Sequence, residues 1–151
     1  MPLARGAFFL EKEMKVFIAS DHAAFEEKKK LIESMSDVEF EDLGTNSKES
    51  THYPQYAKIC AQKVLENEGS MGVLLCGSGI GVSMAANRMK GVRAALCRTQ
   101  WDAEMSRRHN NANIICLGAR VSEVSEMIKM IDVFFKTEFE GGRHQTRIDL
   151  F

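Results

Sequence analysis

The sequence predicts an α/β fold, a mainly parallel sheet of five strands covered by helices on both faces. Three observations predict it. Short apolar runs alternate with amphipathic stretches along the chain, a pattern that builds βαβ units and so a parallel sheet. The middle runs are continuously apolar, as strands buried on both faces must be. No repeat, low-complexity tract or Pro/Gly/Ser-rich linker interrupts the 151 residues, a length that suits one domain.

The elements follow in order. Val16–Ser20 reads as the first strand and Ala23–Met35 as the helix after it, with Asp21 a preferred N-cap type. Val38–Leu43 is the second strand. Pro54–Glu68 is the second helix, with proline in the first turn, where its missing N–H costs nothing. Met71–Cys76 and Val92–Cys97 are strands followed by helices at Gly81–Met89 and Gln100–Asn110. Asn113–Leu117 is the fifth strand, and Ser122–Glu138 the last helix, with Ser122 as cap and Glu123 and Glu126 as an acidic start. Gly141-Gly142 then break the helix and leave a charged terminal arm. Residues 1–13 read as an N-terminal extension, disordered or the product of an upstream start, and 14–151 as the domain. The extension's four-residue apolar patch is too short for a signal-peptide core.

Composition excludes several classes. With 44% hydrophobic and 27% charged residues the chain is globular rather than disordered. A net charge of −1 with no basic block argues against a general nucleic-acid or membrane-surface role. No apolar run approaches the ~20 residues of a membrane span. Cys60, Cys76, Cys97 and Cys116 form no C-x-x-C pair, which suits free thiols in a reducing cytoplasm.

In open α/β sheets ligands bind beyond the carboxyl ends of the strands. There lies Cys76-Gly77-Ser78-Gly79-Ile80-Gly81, between a strand and a helix. Such a loop converges backbone N–H groups at the positive end of a helix, which suits a phosphate or a reaction oxyanion. A plain tight turn explains the glycines equally well. The G-x-G-x-G spacing, with Val82 next and Arg98 where a ribose-binding acid belongs, disfavours a dinucleotide. Cys60 reads as an inert core thiol, whereas Cys76 meets the helix end and the loop, surroundings that favour a thiolate. Asp21-His22 follow the first strand, and Asp21 serves equally as a helix cap. His109 either complements a helix C-terminus or acts as an acid or base. Arg143 and Arg147 are either solvated charges or phosphate forks. No histidine spacing matches a metal motif, so no metal is expected.

Taken together, Ser20-Asp21-His22-Ala23-Ala24-Phe25, Gly44-Thr45, Tyr53-Pro54, Cys76 to Gly81, Ala85-Ala86-Asn87, Ser106-Arg107-Arg108-His109-Asn110 and Gly141-Gly142-Arg143-His144 resemble the type B ribose-5-phosphate isomerases. That family includes galactose- and allose-6-phosphate isomerases. The similarity runs in order from about Met14 to Ile148. It implies a Rossmann-like three-layer domain, cofactor-free, working as a homodimer or dimer of dimers with composite active sites. It implies Cys76 as the base moving a proton between C2 and C1, and the amides of Gly77 to Gly81, through Gly79 and Ile80, as enediolate donors. Ser78 would bond a substrate oxygen, His109 would open the furanose ring, and Asp21 would orient hydroxyls with Asn110 nearby. His22, Arg120, Arg143 and Arg147 would hold the phosphate.

Two departures stand out. Val82 occupies the place where another branch of the family carries a carboxylate, leaving Cys76 as the candidate base. His52 replaces an aspartate that many members carry before Tyr53-Pro54. Three readings compete with ribose 5-phosphate isomerisation: a six-carbon sugar-phosphate isomerase, a non-catalytic phosphosugar-binding module and a nucleotide-binding oxidoreductase. The glycine spacing disfavours the last.

Overall fold

The computed structural model describes residues 14–151, so the expectation for 1–13 lies outside the described residues. One sheet contains β1 (Val16–Ser20), β2 (Phe40–Asp42), β3 (Met71–Cys76), β4 (Ala94–Leu96) and β5 (Ile114–Gly118). Every pairing is parallel, in the order β2-β1-β3-β5-β4. The helices are α1 (Phe25–Ser34), α2 (Tyr53–Glu66), α3 (Ile80–Ala86), α4 (Gln100–Arg108), α5 (Val124–Lys136) and α6 (Arg143–Ile148). A 3-10 turn at His22–Ala24 leads into α1. The α/β class and its parallel five-stranded sheet are as the sequence predicts.

The period of two along each strand divides the core into two layers. Val16 and Ile18 of β1, Val73 and Leu75 of β3, and Ile115 and Leu117 of β5 pack with Leu31 of α1 and Met127, Ile131 and Phe134 of α5. The intervening Phe17, Leu74, Cys76, Ile114 and Cys116 face Ala57, Cys60 and Val64 of α2 and Val82 and Ala86 of α3. Each large side chain withdrawn from water in this way contributes about 1.5–3 kcal/mol. The central strands β1, β3 and β5 are buried at every position except Met71. The apolar run of β4 suggested the same, but β4 is an edge strand and only half-buried. The other edge, β2, is three residues long and carries two acids, which discourages further pairing.

Helices α2 and α3 pack together on one face, while α4 packs on α5 and α5 on α1 on the other. Strand order therefore reverses at β1, whose two neighbours, β2 and β3, are reached by connections on opposite faces. This reversal opens a crevice at the carboxyl ends of β1 and β3.

Local signals moved several boundaries. Thr99 caps α4 by accepting the Asp102 N–H at 3.1 Å. Ser122 does not cap α5: its N–H is drawn to Gly118 O in the turn after β5, and Glu123 takes the N-cap position without a side-chain bond. The charged tail is helical, because Gly141 (φ 72°) and Gly142 (φ 57°) turn the chain into α6 instead of simply ending α5.

His52, exposed and extended, is the N-cap of α2 and makes no capping bond. His52 O already accepts the Gln55 N–H at 3.2 Å, so His52→Asp would act by placing a negative charge near the positive end of the helix. The expected gain is about 0.5–1 kcal/mol, read as a melting temperature higher by roughly 1–4 °C.

Candidate active site

The crevice is an open cleft of about 520 Å³, lined among others by Asp21, His22, Tyr53, Cys76, Ser78 and Arg120. Cys76 ends β3 and is buried on the α2/α3 side, yet its sulfur borders the cleft. Its Sγ accepts the Gly79 N–H at 3.1 Å. Gly79 sits at φ 81°, and a Cβ there would come within 2.7 Å of Leu96 Cδ1 and 2.9 Å of the Leu117 carbonyl carbon. Only glycine brings this N–H to the sulfur.

Ser78 Oγ accepts the Ile80 N–H at 3.1 Å and keeps its own hydroxyl proton to donate. The Gly79 and Ile80 amides are thus engaged within the loop. Those of Gly77, Ser78 and Gly81 have no acceptor among the described residues. With only seven residues, α3 offers a modest dipole, so individual N–H groups outweigh the helix end that the sequence brought to the fore.

The loop is zipped to the end of β5. Ala119 N–H donates to Cys76 O and Arg120 N–H to Gly77 O, both at 2.9 Å. The Arg120 guanidinium consequently lies on Gly77, where a Cβ would stand 2.8 Å from Nη1.

Asp21 is buried and realises the capping option, its Oδ1 accepting the Ala23 N–H at 3.1 Å. His22 and Thr51 exchange two bonds: Thr51 N–H donates to His22 Nδ1 at 3.1 Å, and His22 N–H to Thr51 Oγ1 at 3.2 Å. With Nδ1 an acceptor, a neutral His22 carries its proton on Nε2. Sequence reasoning missed the role of Thr51, which lies in a loop without periodicity. Tyr53 was quoted as part of a motif but given no role; its ring packs over Gly81, where a Cβ would be 2.6 Å away.

The other cysteines are closed off. Burial pushes the Cys60 thiol up to about 12. Burial, with the charge of Asp102 added, does the same for Cys97, also to about 12. Cys116 is fully buried and raised as well, by desolvation first. Only Cys76 borders the cleft.

His109, Asn110, Arg143 and Arg147 lie elsewhere. Helix α4 runs back from the carboxyl end of β4, so its C-cap, His109, stands near the amino end of β5. The turn passes through Asn111 in the left-handed region (φ 47°), and Asn113 O accepts the Gly72 N–H at 2.9 Å at the start of β3. Cys76 pairs with Gly118 at the far end of β5, about 13 Å along the strand at ~3.3 Å per residue. Helix α5 returns to the same amino edge and delivers Arg143 and Arg147 of α6 beside His109. The sequence-predicted residues therefore form two groups at opposite edges of the sheet.

At the amino edge His109 stacks on His144, with ring centroids 4.2 Å apart and planes 12° from parallel. Glu140 Oε1 lies 3.4 Å from His144 Nε2 and 3.9 Å from His109 Nε2. The nearest ligating atoms of these three residues all fall within 4.8 Å of one another, a cluster that sequence spacing could not reveal. Electrostatics disfavours a cation there. Arg108 Nε donates to Glu140 Oε2 at 2.7 Å. Burial, the largest influence, and then the charges of His109, Arg143 and Arg147 hold the His144 pKa below its ordinary value, against the opposing pull of Glu140.

A family model described as Ribose/Galactose Isomerase matches residues 16–151. A protein of Mycoplasma genitalium named probable ribose-5-phosphate isomerase B is 46% identical over 138 residues, covering 89% of this chain and 91% of that protein. A solved ribose 5-phosphate isomerase from Thermotoga maritima superimposes with a TM-score of 0.89 at 48% identity, covering 91% of this chain and 97% of that one. The solved ribose-5-phosphate isomerase B of Mycoplasma genitalium, with bound ribulose-5-phosphate, gives 0.86 at 44% identity, covering 91% and 93%.

Proposed function

Because this chain belongs to the Ribose/Galactose Isomerase family, we propose that it interconverts ribose 5-phosphate and ribulose 5-phosphate through an enediolate. The observation that carries this reading is the Cys76 sulfur, held by the Gly79 N–H at 3.1 Å in the cleft where the strand order reverses.

The Cys76 thiolate removes the proton on C2 of the open-chain aldose. The C–H electron pair becomes the C1–C2 double bond, and the carbonyl pair moves onto O1. The free amides of Gly77, Ser78 and Gly81 face the charge that develops there, and the Ser78 hydroxyl donates to a substrate oxygen. The sulfur returns the proton to C1, and the O2 hydroxyl proton passes to O1, leaving a ketone at C2. Asp21 orients sugar hydroxyls. His22 and Arg120 meet the phosphate, whose remote binding supplies positioning energy.

His109 opens the furanose ring. It stands at the opposite edge of its own sheet from Cys76, so it works on the cleft of a second copy, as do Asn110, Arg143 and Arg147. The enzyme is thus a homodimer, or a dimer of dimers, with composite sites. Its place is the pentose phosphate pathway in the cytoplasm, where the four free thiols would stay reduced.

The test is a panel of ribose 5-phosphate, allose 6-phosphate and galactose 6-phosphate, read by product sugar. Ribose 5-phosphate is expected to lead in kcat/KM by about 10- to 200-fold, the discrimination that one extra carbon in a pocket allows. A lead by either six-carbon sugar overturns the substrate assignment. Binding of all three without turnover overturns the enzyme assignment.

A further inference from the structure

We propose that His144 and Glu140 are positioning residues for His109: His144 is a flat, buried platform that fixes the plane of the working imidazole, and Glu140 locks that platform to the end of α4. The inference rests on the isomerase reading above and assigns a role to two residues outside the cleft.

The geometry carries it. His144 is 7% exposed, while the His109 side chain is 39% exposed, so the two stacked rings differ in their access to solvent. His144 Nε2 is buried without a hydrogen-bond partner, and its 3.4 Å approach to Glu140 is an ion-pair distance rather than a formed bond. A buried polar atom left unpaired costs about 1–3 kcal/mol, so a hydrogen-bonding role does not explain this side chain. Its face does: at 4.2 Å and 12° it covers one side of His109. Stacking of this kind restricts an otherwise broad ring torsion without consuming either nitrogen of His109.

Glu140 clamps the assembly. Its N–H donates to Arg108 O at 3.0 Å, and its Oε2 accepts from Arg108 Nε at 2.7 Å. Arg108 in turn bonds Glu104 at 2.9 Å. The charged groups around the two rings are therefore Arg108 and Glu104 on α4, Glu140 before α6, and Arg143 and Arg147 on α6. Two imidazolium rings at stacking distance would repel. Burial, and then the charges of His109, Arg143 and Arg147, hold the His144 pKa below its ordinary value, which disfavours a charge on the buried ring.

The experiment compares His144→Phe, His144→Ala and Glu140→Gln in the full-length protein. Steady-state turnover of cyclic ribose 5-phosphate is measured alongside hydrogen exchange of ribulose 5-phosphate, which cannot close a furanose ring. His144→Ala is expected to lose about ten-fold or more in kcat on the aldose with KM within about three-fold, while exchange of the ketose stays close to native. His144→Phe, which keeps the ring and removes the orphaned nitrogen, should recover most of that loss. Glu140→Gln should fall between the two. The His109 ring-proton resonances should show an upfield ring-current shift in the native protein and in His144→Phe that disappears in His144→Ala. Equal loss in the phenylalanine and alanine variants, or unchanged turnover in the alanine variant, overturns the platform role. A loss that falls equally on ketose exchange assigns His144 to general stability and also overturns it. A native protein inactive on both sugars, with the ring-current pattern intact, would instead remove the isomerase reading on which the role depends.

Discussion

Cys76→Ser is expected to lower turnover by about three orders of magnitude while leaving sugar-phosphate affinity within about three-fold. The serine Oγ can still accept the Gly79 N–H that the sulfur accepts at 3.1 Å, so the loop keeps its shape. What this variant would lose is the proposed base, because a hydroxyl ionises far less readily than a thiol. No other cysteine can replace it. Cys60 and Cys116 are fully buried and Cys97 is 1% exposed. The measurement pairs solvent hydrogen exchange at C2 with calorimetric binding. Exchange at a near-native rate in the serine variant would remove Cys76 from its role. Affinity lost in parallel with rate would recast it as a binding residue.

Mixed dimers offer the second large effect. Cys76→Ala and Arg147→Ala are each expected to be inactive alone and to regain about a quarter of native activity when unfolded and refolded together. Random assembly makes about half of the dimers mixed, and in each of these one of two sites joins an intact loop to an intact α6. The expectation comes from the sheet, which holds Cys76 at the carboxyl end of β3 while α6 lies near the amino end of β5. If both residues served one chain's site, mixing would restore nothing.

The sequence carries the sheet well, because apolar runs such as VFIAS and MGVLLC report burial on both faces directly. It carries the cleft nearly as well, since strand ends and glycine loops are local signals. The failures were of another kind. The run Val92–Cys97, apolar apart from Arg93, lies at an edge, and only the strand order reveals that. Ser122 has the right chemistry for a cap but is recruited by Gly118. The Gly141-Gly142 pair reads as a stop and acts as a turn into α6. The stack of His109 on His144 joins residues 35 positions apart across two helices, which no local pattern encodes. Spacing also could not tell that His109 and Cys76 lie at opposite ends of the same strand pair.

The strand order bears on how the chain is made. Strand β5 is the last strand synthesised, yet it lies inside the sheet between β3 and β4. A nascent chain that has not yet extended through residue 118 has nothing to pair with the second edge of β3. It also lacks the Ala119 and Arg120 amides that fasten the Cys76-Gly77 backbone. Early strand pairings are therefore confined to β1, β2 and β3, and β4 waits unpaired. Long-range pairings of this kind close slowly and leave strand edges open meanwhile. The Cys76 loop is among the last features to mature, set only when the final strand slides between two others.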